Sequence, residues 1–389
     1  MHGQKRGPQQ GLGITGISTN PPPIAGAPTY VALFVGWAPS GPTDRAVPLF
    51  SFSDYEREFG GLDARALLGY AVRHFYDNGG SRAHVLRIAG ADGGAIAPAE
   101  PAFAQALNVA FSPGGPVDKI DAFNLICVPG LADAAATAML QVQAAERRAF
   151  LIADCDEAAL AATVAASLAG KTGAHAANSA LYFPWVLAPD PLQGGAPRAF
   201  PPGGFVAGAL ARTDAMRGVW KSPAGSDVNL VGATDFTVRL TDVEYASLTA
   251  QGINCLRKFA GVGPVVWGAR TLAGGDGHAS DWKYVPVRRT ALFLEQSLYA
   301  GTKWAVFEPN GEALWSRLRT SVNVFMDGLF RQRAFAGNNP AQAYFVKCDR
   351  ETTTQADIDR GVVNIVIGFA PLRPAEFVVV SIAQLAGAS

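Results

Sequence analysis

The sequence predicts an α/β fold joined to an α+β unit, in a multi-domain chain with extended arms at both ends, and three features carry that reading. A continuous apolar run from Tyr30 to Gly36 has the character of a central strand buried on both faces. Residues 120–187 alternate strand-like and helix-like patterns, the βαβαβ order of a parallel sheet with right-handed crossovers. The final third changes character: β-branched and aromatic runs surround one long amphipathic helix, as a mixed-sheet C-terminal domain requires.

Residues 1–28 read as an irregular arm ending in Pro21-Pro22-Pro23, which cannot join a sheet interior and favours an extended backbone. An α/β domain is expected over 29–240. Within it, Ser53 to Phe59 has the form of a capped helical turn, with Ser53 as cap and Glu56 three residues on. A helix over Ala64 to Asp77 stops at Asn78-Gly79-Gly80, and a strand follows at His84 to Ala89. Residues 90–119 are rich in Ala, Gly and Pro, show no sustained period, and are expected as a surface excursion. Next come strand Phe123 to Val128, helix Ala132 to Arg147, strand Ala149 to Ala153, helix Glu157 to Leu168 and strand Ala180 to Leu187. A Pro/Gly-rich loop, 188–204, closes the unit.

The C-terminal domain is expected over 241–375. After Gly252-Ile253-Asn254 it shows short strand-like runs, then a helix from Glu312 to about Phe335. Its Leu314, Leu318, Val322, Phe325 and Leu329 recur every three to four residues and form one apolar stripe. Strands are expected at Tyr344 to Cys348, Val362 to Phe369 and Phe377 to Ile382. The last lies beyond Pro371 and Pro374, in an arm over 376–389 that is free to pair outside its own domain.

Composition narrows the function. Of 389 residues, 49% are hydrophobic and 16% charged, which excludes a disordered chain. Lys and Arg number 32 against 32 Asp and Glu, so no net field favours nucleic acid or an anionic membrane. The same balance leaves little repulsion between copies. Cys127, Cys155, Cys255 and Cys348 are scattered without a CxxC pair and read as reduced, buried thiols in a protein assembled in a cytoplasm. Met1 to Gly13 lacks the apolar core of a signal peptide, and no apolar run reaches membrane-spanning length.

Candidate chemistry is sparse. Gly11-Leu12-Gly13-Ile14-Thr15-Gly16 matches a dinucleotide fingerprint but lacks the preceding strand and following helix that would aim amides at a pyrophosphate. The βαβαβ unit could take a nucleotide at the carboxyl ends of its strands, yet Val128-Pro129-Gly130 offers one glycine, and Pro129 removes a donor. Asp154, Asp156 and Glu157 gather at a strand end, with Asp156 placed to cap the next helix and Glu157 to meet its positive pole. The five histidines never fall at metal-ligand spacing. No enzyme activity, metal or cofactor is expected; a nucleotide-dependent enzyme on the βαβαβ unit is the alternative.

An ordered series of short segments resembles the phage tail sheath family. It begins with Thr29 to Ala38 followed by Ser40-Gly41-Pro42, then Phe59-Gly60-Gly61 and Asn78-Gly79-Gly80. It continues through Tyr182-Phe183-Pro184-Trp185, Pro201-Pro202-Gly203-Gly204 and Gly218-Val219-Trp220-Lys221. Trp267 to Thr271, Val287-Arg288-Arg289, Val306 to Asn310 and Pro374-Ala375-Glu376-Phe377 complete it. The resemblance implies a structural subunit of a contractile tail or injection system, stacked in hexameric discs around an inner tube and working with baseplate and terminator proteins. A non-contractile ring-forming tail protein is the nearer alternative.

The resemblance also implies that neighbours are linked by arm strands added to a sheet edge. Phe377, Val378, Val379, Val380, Ser381 and Ile382 are the expected C-terminal donor, with Val378, Val380 and Ile382 on one face. Many family members begin with a Pro-Gly-Val-Tyr-type strand, whereas this chain offers only Leu12 to Ile17, so Ile14 and Ile17 are the expected N-terminal link. Arg331 and Arg333, at the end of the long helix, are expected to face the tube. Arg270, Arg288 and Arg289 are expected to pair with carboxylates such as Asp281, Glu295 and Glu308, within a domain or between subunits.

Overall fold

The apolar run after Tyr30 becomes strand β1 (Ala32–Gly36), buried along its whole length, in a computed structural model that describes residues 22–376. The following strands are β2 (Val47–Leu49), β3 (Ala83–Arg87), β4 (Leu125–Cys127), β5 (Phe150–Asp154) and β6 (Ser179–Phe183). Then come β7 (Val186–Asp190), β8 (Ala196–Phe200), β9 (Asp235–Phe236), β10 (Ile253–Phe259) and β11 (Gly263–Val266). Last are β12 (Tyr344–Lys347) and β13 (Val366–Phe369). Eight strands form one sheet in the order β11-β10-β6-β5-β4-β1-β3-β2. Its interior pairs are parallel, and β11 and β2 close the two edges antiparallel.

Because successive side chains on a strand point to opposite faces, β1 feeds two cores. Ala32 and Phe34 face helices α1 (Phe52–Phe59) and α2 (Leu67–Asp77). Leu33 and Val35 face α3 (Pro101–Phe111) and α4 (Ala134–Glu146). Helix α5 (Gly203–Arg217) joins the first layer and α6 (Asp242–Ala250) the second. The result is a three-layer α/β body. Beyond it, α7 (Val285–Gly301) and α8 (Glu312–Arg331) pack against the two-stranded β12–β13 sheet, with Leu294, Val322, Phe325 and Leu329 at the centre.

Several expectations are corrected. Helix α1 is capped by Ser51, whose hydroxyl accepts from the Asp54 amide, so Ser53 lies inside the helix. The 90–119 excursion contains α3, anchored by Phe103, Leu107 and Phe111 on one buried face. Residues 157–168 form turns and a 3-10 segment rather than an α-helix; Val164 alone is buried there, too little to hold a helix to the sheet. The loop 188–204 contains most of the β7–β8 hairpin. Between Asn254 and Glu312, where only short strand-like runs are expected, residues 285–301 form α7, with a proline in the first turn. The boundary at 240 does not fall at an edge of the large sheet: Ile253 to Cys255 pair with Leu181 to Phe183, so β10 and β11 extend the α/β body. The long helix ends at Arg331 because Arg333, at φ 60°, turns left-handed and closes it.

Candidate assembly interface

The chain approaches the body through two anchored roots. At the N-terminal root, the Ser321 hydroxyl on α8 donates to the Pro22 carbonyl at 3.2 Å, and the Ala27 amide donates to Ser297 Oγ on α7 at 2.9 Å. Ile24 packs into the α7–α8 cluster. Arg289 donates to the Thr29 carbonyl at 3.0 Å, just before β1 begins. Ile14 and Ile17 lie outside the described residues.

At the C-terminal root, the chain leaves β13, forms an antiparallel bridge between Pro371 and Phe335, and reaches Glu376. There the carboxylate accepts from Arg270 Nε at 2.6 Å and Nη2 at 2.7 Å. Phe377 to Ile382, the expected donor segment, begins at the next residue and lies outside the described ones.

The β12–β13 sheet packs Tyr344, Val346, Ile367 and Phe369 against the α8 layer. The opposite face carries Phe345, whose ring lies over Gly368 across the ladder; a Cβ there would sit 2.1 Å from it. Among the described residues neither outer edge of this sheet has a partner strand. Such an edge offers unpaired backbone groups to another chain. Phe307, Phe345 and Val366 are exposed apolar side chains of the same domain.

Each of the three singled-out arginines has found a carboxylate. Arg288 pairs with Glu295 at 3.1 Å, as the sequence suggests. Arg289 instead takes Asp214 on α5, and Arg270 takes Glu376 and Asp276. Glu308 goes to Arg317. Burial works against the Arg270 charge, but the Glu376 and Asp276 carboxylates outweigh it and raise its pKa. Arg331 is exposed and pairs with Asp327 one turn back at 2.6 Å, while Arg333 stands exposed at the helix end.

The nucleotide alternative finds no room where it was expected. The strand order reverses between β1 and β4, the place where an open α/β sheet takes a ligand. Trp37, Ile96, Phe103 and Pro129 fill that crevice and leave about 10 Å³. The strand-end acids are structural as well. Asp154 accepts from the Gly130 and Gly203 amides, both at 2.9 Å, and so caps α5; burial raises its pKa to about 7. Asp156 accepts from the Ala158 amide in a turn, and no helix starts at Glu157. All four cysteines are free and buried, and burial pushes the Cys255 thiol up to about 12. Among the described residues no three His, Cys, Asp or Glu side chains are grouped to hold a metal ion, and no helix is long and apolar enough to cross a membrane.

A layered body, anchored segments at residues 22–29 and at Glu376, and a small sheet whose edges have no partner strand among the described residues fit a structural subunit that joins others. The chain belongs to the phage tail sheath family: the family's central-domain model matches residues 117–272 and its C-terminal-domain model residues 278–384. It is 27% identical to the tail sheath protein of Vibrio phage KVP40 over 182 residues, 46% of this chain and 26% of that one. The matched stretch therefore spans about a quarter of that relative. Two solved structures correspond along nearly the whole chain. One is the sheath complex of the extracellular contractile injection system PVC in its contracted state, at 27% identity and TM-score 0.79, covering 98% of this chain and 99% of that one. The other is the contracted helical sheath of the anti-feeding prophage, at 28% identity and TM-score 0.76, covering 97% and 100%.

Proposed function

We propose that this protein polymerises into a contractile sheath around an inner tube and drives the tube outward by passing from an extended to a contracted arrangement. The observation that carries the reading is the β12–β13 sheet, whose edges lack partners among the described residues, together with the anchoring of Pro22 and Glu376, where the described residues begin and end. Strand addition from a neighbour satisfies such edges with backbone hydrogen bonds. Residues 377–382 are the donor, and Ile14 and Ile17 lie in the second linking arm. Head-to-tail contacts of this kind do not close on themselves and generate a helical stack, here of hexameric discs.

The arms, 1–28 and 376–389, act as hinges, and the layered body between them moves as one piece. The exposed Arg331 and Arg333 meet acidic groups on the tube in contacts of about 0–1 kcal/mol each, weak enough to release on firing. Baseplate and terminator proteins cap the stack, and assembly takes place in the bacterial cytoplasm. The sheath consumes no nucleotide; the energy is stored in the extended state behind a kinetic barrier.

Negative-stain microscopy of the purified protein tests this. Ribbed tubes are expected. Discrete rings would replace the reading with a non-contractile tail protein, and monomers whose melting temperature shifts on adding nucleotide would replace it with an enzyme.

A further inference from the structure

After the Pro371 bridge, residues 373–375 make no backbone hydrogen bond to the rest of the described chain. They pass over a cavity of about 490 Å³ whose walls include Trp220, Trp267, Ala269 and Pro286. Among the described residues the hydrogen bonds that hold this strap lie at its ends, and its far end is the Glu376 carboxylate. That group receives the two-pronged Arg270 contact and the Tyr284 hydroxyl at 3.2 Å. A strap without backbone bonds would otherwise swing, and the arm that follows would leave the subunit in no fixed direction.

The other side of the contact is rigid. Arg270 is 3% exposed, and its Nη1 donates to the Thr249 carbonyl and to Asp276, each at 2.8 Å. Its own backbone is gripped by Asn254 on β10: the Arg270 amide donates to Oδ1 at 2.6 Å, and Nδ2 donates to the Arg270 carbonyl at 2.7 Å. Asn254 Nδ2 also reaches the Leu181 carbonyl on β6 at 3.2 Å. Glu376, Arg270 and Asn254 thus form a continuous polar path from the arm into the eight-stranded sheet. A bidentate charged contact fixes direction as well as distance.

From this geometry we infer that Arg270 is the positioning residue that anchors the C-terminal arm, so that tension on the arm passes to the large sheet rather than to the two-stranded one. The inference rests on the sheath reading for its purpose but not for its mechanics. Residue 376 directly precedes the donor strand, so the contact aims that strand toward the neighbour it joins.

The test compares wild type with Glu376→Gln, which keeps the side chain's shape and leaves Arg270 its Thr249 and Asp276 partners. Chymotryptic cleavage of the isolated subunit after Phe377, the residue following the anchor, should quicken by about tenfold or more. The melting temperature should move by no more than about 2 °C. Tubes assembled from the variant should be shorter and irregular. Unchanged cleavage would show that the contact holds nothing, and tubes as long and regular as wild type would show that anchoring is not needed for assembly; either result overturns the inference. If the wild type itself builds no tubes, the sheath reading fails, while the cleavage measurement still decides whether Arg270 holds the arm.

Discussion

Arg289 on α7 donates to both carboxylate oxygens of Asp214 on α5, through Nη1 at 3.0 Å and Nη2 at 2.6 Å, with both side chains almost wholly removed from water. Since Nη2 also holds the Thr29 carbonyl, one guanidinium ties the α/β body, the C-terminal helical layer and the N-terminal root together. Removing one member of a buried pair strands the other's charge. Asp214→Ala should therefore lower stability by about 3–5 kcal/mol in urea unfolding. The double change Asp214→Leu with Arg289→Met should recover most of that loss, because two apolar groups carry no unpaired charge. A single-variant loss below about 1 kcal/mol would mean that the pair is solvated.

Two buried titratable groups set opposite pH limits on stability. His74 stacks on Phe205 with ring centroids 3.8 Å apart. Burial, helped by the Arg73 charge, lowers its pKa from 6.5 to about 3. The unfolded chain then takes up a proton that the folded chain refuses, so stability is lost as pH falls below 6.5. At pH 5 that amounts to about 2 kcal/mol. Asp154 behaves in reverse: with a folded pKa of about 7, its contribution is full below the ordinary value of 3.8 and is lost as pH rises through 7. Melting temperatures from pH 4 to 8 should show a flatter acid limb for His74→Phe and a flatter alkaline limb for Asp154→Asn. Parallel profiles for wild type and both variants would refute the assignment.

Glycines on two helices make a contrasting pair of tests. Helix α5 lies so close to α2 that a Cβ on Gly204 would sit 2.4 Å from the Ala71 carbonyl oxygen. That is backbone, which cannot turn aside, and it gives a physical reason for glycine after Pro201-Pro202. Gly204→Ala should cost about 1–3 kcal/mol by forcing the helices apart. On α8, nothing lies within 4 Å of a Cβ at Gly328. Gly328→Ala should stabilise by about 0.5–1 kcal/mol through helix propensity alone. Thermal melts of the two variants should move in opposite directions.

What the sequence reveals follows the strength of its periodicity. Strands β1, β4, β5 and β6 and helices α4 and α8 are legible because each carries a long apolar run or stripe facing a core. Helix α3 carries a signal as well: Phe103, Leu107 and Phe111 stand four apart behind Pro101, obscured by the surrounding Ala, Gly and Pro. Helix α7 also has its stripe in Val287, Ala291 and Leu294. The anchoring contact is different in kind. Arg270 and Glu376 are 106 positions apart, and nothing local to either marks the other. The sequence supplies the arginine and its need for a carboxylate, but only the path of the strap selects which one.

The α8 terminus offers a test of tube binding that separates assembly from folding. Arg331 is exposed, and its ion pair with Asp327 is an i,i+4 contact worth about 0.3–0.5 kcal/mol. Arg333 occupies a left-handed turn at φ 60°. Neither cation supports the core, so reversing both charges should change subunit stability by less than about 1 kcal/mol. If these cations grip an acidic tube, Arg331→Glu with Arg333→Glu should abolish co-assembly on tubes while leaving sheath-to-sheath polymerisation intact. Wild-type co-assembly should weaken as salt rises, because contacts between exposed charges are screened beyond a Debye length of about 8 Å at physiological ionic strength. Co-sedimentation with purified tubes across a salt series reads both effects. A doubly reversed variant that still sediments with tubes, at the same salt dependence, would place the tube contact elsewhere on the subunit.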